Sequence, residues 1–593
     1  MKVRDGVRMV GYTLRLSLRA DKRTTILVGV FVLFTSVAGV GTATAQRWLV
    51  DAAGLGLASS VVTATVFGVL MHVLSSTINL ITSNYHNDLN NRIQLTLEQQ
   101  ITEASAHVPT VTHLERHDFL NRVIMLRRGA HRLAYTGWAA AYSVAGLAGV
   151  AGSLWLLADV HPALALVAVA AIPILPLTNR ANRLLRAVID STAESIRQEK
   201  SLHELFLTAE SAKEIRTSGN GHTLSDMATG LWHQVIAREE RARLSGMGIE
   251  LAGWALYFTI VGAGLAFVGH LLATSAATPG DAVMLISLTS QFRAQMARTV
   301  SSVTTVADGG RVAEHYRWLV DYARDHVADG TAAAPTHLRR GIELQDVWFT
   351  YPGSDVPVLR GVSLTIPASS SLGLVGINGA GKSTLVKLLT GVYRPDGGTI
   401  TVDGIPLGDL DPAAWTRVCT GAFQDFQKFQ FLLHEAVGVG DVSRLADLPT
   451  VAQAIEEAGA NRIVDALPGG LHAQLGALFG GVELSHGQWQ GLALARGLMR
   501  DEPLLTLLDE PTAALDPQAE HDLYELFTAQ TRSSRDRGAV TLLVSHRFST
   551  VHMADHIVVL SDGKVAEHGT HQELMADGGE YAKLYQTQEL AYR

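Results

Sequence analysis

The chain has 593 residues, too many for a single hydrophobic core, and its formal net charge of −8 gives no basic footprint for a nucleic acid. Apolar residues make up 47% and charged ones 18%, with mean hydropathy +0.17, which lies on the membrane side of an ordinary soluble enzyme. Cys419 is the single cysteine, so an internal disulfide, a cysteine metal cluster and a thiol-based peptidase are all excluded.

The character of the sequence changes near residue 320 and divides it into 1–320, a linker at 321–340 and 341–593. Before residue 24 lie Lys2, Arg4, Arg8, Arg15, Arg19, Lys22 and Arg23 against only Asp5 and Asp21, which places the amino terminus in the cytoplasm by the positive-inside rule. Six apolar stretches then read as spans of an all-α transmembrane domain: 24–46, 57–83, 133–158, 160–179, 251–274 and 281–302. Little more than Asp159 separates the third from the fourth, so the chain turns back sharply outside. The sixth is the weakest, because Arg293 and Arg298 interrupt it. A basic start followed by an apolar run and Ala43-Thr44-Ala45 imitates a cleaved signal peptide, but the run exceeds the roughly 7–15 residues of a signal core and more spans follow.

The charged connections 88–132 and 180–250 fall on the inside. Their mixed charge at helical spacing, as in 193–216, predicts spans that continue into water as long helices. Within the sixth span Gln291, Gln295 and Arg298 stand at i, i+4 and i+7 and share one face, which cannot comfortably meet lipid and is expected to line a substrate pathway. His72 and Asn79 also share a face of the second span, where a bond to a neighbouring helix competes with a pathway role. The two arginines hint at a polar or anionic ligand, although either can snorkel.

Asp329-Gly330-Thr331-Ala332-Ala333-Ala334-Pro335 is rich in breakers, and a soluble α/β pattern follows it. Tyr351 closes a β-rich run in Trp348-Phe349-Thr350-Tyr351-Pro352, where it can pack structurally or stack on a base. The apolar run Leu372 to Val375 leads into Gly376, Ile377, Asn378, Gly379, Ala380, Gly381, Lys382, Ser383 and Thr384, which satisfy G-x-x-x-x-G-K-[ST]. A strand that turns through glycines into a helix points its first amides at a polyphosphate. Lys382 then neutralises the β- and γ-phosphates of ATP and the Ser383 hydroxyl ligates Mg²⁺. Leu504 to Leu508 is an apolar strand that delivers Asp509 toward Mg²⁺ and Glu510 toward the attacking water. A second apolar strand, Thr541 to Val544, ends in Ser545-His546, and His546 is expected at the γ-phosphate.

These residues resemble those of the ATP-binding-cassette transporter family, and the resemblance covers nearly the whole chain. Tyr351 looks like the family's adenine-stacking aromatic, Gln424 like its Q-loop glutamine beside the metal, and Leu484-Ser485-His486-Gly487-Gln488 like its signature sequence. Ala514-Leu515-Asp516 resembles the D-loop and His546 the switch histidine. The segments Leu114-Glu115-Arg116-His117-Asp118-Phe119 and Ala212-Lys213-Glu214-Ile215-Arg216 resemble coupling helices. The resemblance implies a P-loop NTPase domain fused to the six-helix domain. It also implies a half-transporter that pairs as a homodimer or heterodimer, with Ser485, Gly487 and Gln488 of one subunit meeting the ATP held by Lys382 of the other. Two departures stand out: His486 replaces the usual glycine, and Gly491 replaces the usual arginine. ATP and Mg²⁺ are the implied cofactors, ATP hydrolysis the implied activity, and a cell inner membrane the implied location. The expected function is export of a small molecule, peptide, lipid or secondary metabolite. Uptake of a metal-chelate through the same fold, a soluble mechanical ATPase and a sensory membrane ATPase are the alternatives, of which the six apolar stretches weigh against the soluble one.

Overall fold

A computed structural model describes residues 3–169, 174–326, 330–510, 535–545 and 551–592. The chain folds as two units, one formed by 1–101 with 125–317 and the other by 102–124 with 318–593. The second inserts a short piece of the amino-terminal half into the carboxy-terminal domain.

The first unit is helical throughout its described residues. It is built from α1 (Val3–Ala20), α2 (Lys22–Gly54), α3 (Ala58–Ala106), α4 (Thr112–Glu115, in the other unit), α5 (His117–Val160), α6 (Pro162–Val169), α7 (Ile174–Leu207), α8 (Ala209–Ser218), α9 (Gly221–Ala273) and α10 (Pro279–Asp325). Asp21 starts α2: its backbone is extended, and its carboxylate accepts from Thr24 N at 3.1 Å and Thr24 Oγ1 at 2.7 Å, satisfying an amide that the first helical turn leaves unpaired. Among the described residues four helices, α2, α3, α5 and α9, are long and apolar enough to cross a membrane. The expected fourth span falls on α6, the start of α7 and residues 170–173, which lie outside the described residues. The expected sixth lies on α10, a 47-residue helix that is less apolar than the other four.

The unit has an apolar core, and its α3 also exposes apolar side chains. On α3, Val62, Val66, Val69 and Val73 form an exposed stripe at helical spacing, while His72, Ser75, Ser76 and Asn79 beside it face an interior cavity. α7 packs along α9 where Gly246 meets Ala181; a Cβ on the glycine would lie 3.3 Å from the alanine Cβ, so two small residues let the backbones approach. At one end of the unit Arg47 Nε pairs with buried Asp281 at 2.8 Å, and Asp51 accepts from Thr278 Oγ1 and Gly280 N, both at 2.9 Å. These bonds tie the end of α2 to the start of α10.

The second unit holds two sheets. The smaller orders its strands β2-β1-β4-β5, all antiparallel, from β1 (Gly341–Phe349), β2 (Leu359–Pro367), β4 (Gly397–Val402) and β5 (Ile405–Pro406). The larger orders β10-β9-β3-β8-β7-β6, from β3 (Ser371–Val375), β6 (Cys419–Ala422), β7 (Leu505–Asp509), β8 (Val540–Val544), β9 (His556–Ser561) and β10 (Lys564–Gly569). Its strands are parallel except the edge strand β10. β7 and β8 are buried at every position, which explains their continuous apolar runs. The core between the sheets closes over α11 (Lys382–Leu389), with α12 (Pro412–Val418) contributing buried Trp415. A second core gathers α13 (Leu433–Gly438), α14 (Leu448–Glu457), α15 (Asn461–Ala466) and α16 (His486–Leu498) around Trp489.

Residues 102–124 belong to this unit through specific bonds. Val111 N donates to Val392 O at 3.1 Å, the Tyr393 hydroxyl donates to the Glu115 carboxylate, and His113 is buried with its ring centroid 4.7 Å from that of Phe119. Arg122 lies over the Trp318 ring at 4.6 Å. The sequence division at residue 320 assigns this segment to the membrane domain, whereas its contacts group it with the sheets. The other charged segment, 212–216, lies on the short helix α8, between α7 and α9.

Candidate nucleotide-binding site

The larger sheet builds the site by its strand order. β3 lies beside β8, and β8 beside β7, so the carboxyl ends of β3 and β7 open on the same edge one strand apart, the usual place for a ligand in a parallel sheet. The loop after β3 is shaped by glycine. Gly376 has φ +152°, and a Cβ there would sit 2.2 Å from Leu560 O; Gly381, the residue before α11, has φ +104°. Ile377, Asn378 and Gly379 are exposed at the rim, and Ala380 is buried beneath them.

Lys382 is 6% exposed, and its ammonium donates to Gly376 O at 2.9 Å and Ile377 O at 3.1 Å. Burial pulls its pKa down, while the carboxylates of Glu510 and Asp509 act in the opposite sense. The lysine therefore folds its own loop around a positive charge that is already partly desolvated. Thr384 is buried and its hydroxyl lies 3.0 Å from that of Tyr351. The Tyr351 ring stands edge-on to Phe349 at 5.0 Å and to Tyr393 at 5.5 Å.

At the end of β7, Asp509 is 4% exposed and its Oδ1 has no hydrogen-bond partner among the described residues. Burial raises its carboxyl above the ordinary range, and a hydrogen bond with the Ser383 hydroxyl works against that rise. An orphaned buried carboxylate oxygen beside a serine hydroxyl is a donor set that fits a hard divalent cation such as Mg²⁺.

Glu510 has φ +50°, an uncommon value for a residue with a Cβ and one that concentrates at functional sites. Its neighbours hold it there: Glu510 N donates to Val544 O at 3.0 Å, the Gln490 side-chain amide donates to Glu510 O at 3.2 Å, and Gln424 Nε2 donates to Glu510 Oε2 at 2.9 Å. Gln424 thus meets the carboxylate next to Asp509. The Gln490 contact escaped sequence reading, because an amide inside a helix carries no local signal.

Ser485 caps α16. Its hydroxyl accepts from Gln488 N at 3.3 Å while Gln488 Oε1 accepts from Ser485 N at 2.8 Å, a reciprocal capping box. His486 is exposed in the first turn with its ring 5.2 Å from that of Phe426, so its Cβ is accommodated without positive φ. Gly491 is buried, and a Cβ there would make ordinary contact with Ala460 and Ile463. His546 and the segment 514–516 lie outside the described residues.

In the helical unit the predicted polar face is brought to a cavity of about 560 Å³. Gln291, Gln295 and Arg298 line it, with His72 and Asn79 from α3 and with Thr42, Tyr135 and Tyr142, which sequence reading did not single out. Gln291 Nε2 donates to Thr42 Oγ1 at 3.4 Å. The serine, histidine and asparagine repeat on α3 was the signal that could have found this wall.

A phosphate loop, a buried aspartate and a held glutamate on one sheet edge, in a chain that also carries an apolar helical unit, define a membrane protein with a nucleotide-binding cassette. Residues 359–513 match the family described as ABC transporter. The chain is 34% identical over 331 residues to the ATP-dependent lipid A-core flippase of Bordetella pertussis, covering 54% of this chain and 51% of that one. It is 40% identical over 250 residues to ABC transporter B family member 28 of Arabidopsis thaliana, covering 42% and 34% of the two. The chain thus spans about half the length of the lipid A-core flippase it matches. A solved bacterial Atm1-family ABC exporter with ATP bound shares the fold, with TM-score 0.76 and 21% identity over 96% of this chain and 98% of that one. The cassette residues 359–513 thus match the ABC transporter family, and the chain as a whole shares the fold of the Atm1-family exporter, with apolar helices long enough to cross a membrane preceding one cassette.

Proposed function

We propose that the protein couples ATP hydrolysis to export of a solute across the cell inner membrane, working as a dimer of half-transporters with six spans each and with the cassette in the cytoplasm. The observation that carries this reading is the meeting of Lys382, Asp509, Glu510 and Gln424 on one sheet edge in a chain whose helical unit encloses a polar cavity. The amides of Gly376 to Thr384 cradle the phosphates of ATP, Lys382 exchanges its loop carbonyls for phosphate oxygens, and Tyr351 supports the adenine. Ser383, Asp509 and Gln424 are the residues that would hold Mg²⁺, which when bound neutralises charge developing on the β- and γ-phosphates. Glu510 accepts a proton from the attacking water, and His546 contacts the γ-phosphate. Positioning and electrostatics therefore supply the rate, as phosphoryl transfer requires.

Ser485, Gly487 and Gln488 at the start of α16 complete the site of the second subunit, where amides at the amino end of a 13-residue helix suit a phosphate. The Tyr393–Glu115 bond and the contacts of 102–124 supply the link by which cassette closure moves the spans. Inverted membrane vesicles carrying the protein, alone and with any sister half-transporter, should accumulate its solute and release phosphate when ATP is added. Absence of both with every pairing would overturn the reading; ATP-driven loss of solute from such vesicles would reverse its direction.

A further inference from the structure

We infer that the cavity of the helical unit takes a polar anion, not an acyl chain. This deepens the export reading and rests on it for the ligand's onward movement, whereas binding is carried by the cavity itself.

Three observations converge. Arg298 is the one permanently charged residue among the described residues that line the cavity, and neither aspartate nor glutamate lies among them. No carboxylate lies within ion-pair distance of its guanidinium among the described residues. Arg298 is exposed at the cavity wall, where an uncompensated cation raises the local concentration of anions. Gln291 and Gln295 provide the second observation: both line the cavity on the same helix face as Arg298 and make that wall polar without adding a negative charge. Finally, the facing wall is Ser75, Ser76 and Asn79, which an acyl chain would leave unsatisfied. The cavity of about 560 Å³ suits a solute of small-metabolite or short-peptide size. The related lipid A-core flippases are named for a lipid, so this lining separates the chain from a cargo read off their name.

The test reads charge directly and needs neither ATP nor the natural solute. Cys419 is 7% exposed and burial pushes its thiol pKa up, so it stays unreactive and an introduced cysteine reports alone. In the full-length protein in nanodiscs, Ser76→Cys, with the exposed Ser301→Cys as an independent second position, is modified with anionic sulfonatoethyl or cationic trimethylammonioethyl methanethiosulfonate. Each rate is divided by that of the reagent with a free thiol. The anionic reagent should be favoured about tenfold at both positions, Arg298→Gln should bring the ratio to within about twofold of unity, and Arg298→Lys should restore it. Equal rates, or a cationic preference, at both positions would overturn the inference while leaving the ATPase reading untouched. An inactive ATPase with preserved anion preference would do the reverse. Two further arms separate the sources of the anion: slowing of modification by millimolar N-acetyl-triserine identifies a free solute, and slowing only by phosphatidylglycerol in the disc identifies a lipid headgroup.

Discussion

The cassette and the membrane unit handle polar groups in opposite ways. In the cassette the charges that matter are buried and held by neighbours a few residues away or one strand over: Lys382 by its own loop, Glu510 by Gln424 and Gln490. In the membrane unit Val62, Val66, Val69 and Val73 of α3 stand exposed, while Gln291, Gln295 and Arg298 line a cavity into which no described carboxylate projects. The nucleotide site is thus largely set before its ligand arrives, with the Asp509 Oδ1 left over for a cation. The cavity instead presents a positive charge whose partner the ligand must bring.

Replacement of Glu510 by Gln presses hardest on this contrast. It preserves the hydrogen bond from Gln424 in shape but removes the base, so phosphate release should fall by about 10²–10⁴-fold while ATP is still retained. A stopped-flow phosphate assay with parallel nucleotide filter binding reads both; a variant that turns over normally removes Glu510 from the role proposed for it.

The next largest effect should come from the membrane unit. Arg47→Ala strips the partner from buried Asp281 and should lower unfolding stability by about 3–5 kcal/mol, because an uncompensated charge is left inside. The double variant Arg47→Ala with Asp281→Ala should recover much of that loss in a thermal melt.

A smaller effect is expected at Asp403, whose carboxylate accepts from Arg339 N, Arg340 N and Gly341 N at 2.8–3.0 Å. Burial opposes its ionisation, yet these amides and the Arg340 charge outweigh burial and hold its pKa below the usual range. A depressed carboxylate stabilises the fold above its unfolded value and loses that contribution as pH falls through the folded one. Asp403→Asn should therefore cost about 1–2 kcal/mol at neutral pH and flatten the decline of stability below about pH 4. Chemical melts of both proteins at pH 7 and pH 3.5 give the comparison.

Tyr393→Phe should be the mildest change to the fold. It removes the bond to Glu115 without touching the nucleotide residues, so basal ATPase should stay within about twofold while solute transport per ATP falls several-fold. Unchanged transport stoichiometry would show that the link runs elsewhere.

These differences also explain what could be read in advance. The phosphate loop is legible because its chemistry demands nine consecutive residues, and Asp509-Glu510 because a buried strand must deliver them. The polar face Gln291-Gln295-Arg298 is legible from helical spacing alone. Long-range partnerships are not: Glu115 and Tyr393 are 278 positions apart, and nothing near either announces the other. Thr42, Tyr135 and Tyr142 reach the cavity from α2 and α5 only after the helices pack, and the uncommon backbone of Glu510 leaves no trace in its identity.

The membership of residues 102–124 in the cassette sets a timetable for biosynthesis. This stretch leaves the ribosome more than two hundred residues ahead of the groove around Val392 and Tyr393 that receives it, so it must wait unpacked until at least about two-thirds of the chain has been made. A cassette expressed alone from residue 330 onward would lack its own lining at that groove, and its poor behaviour in isolation would reflect a missing part of its interior.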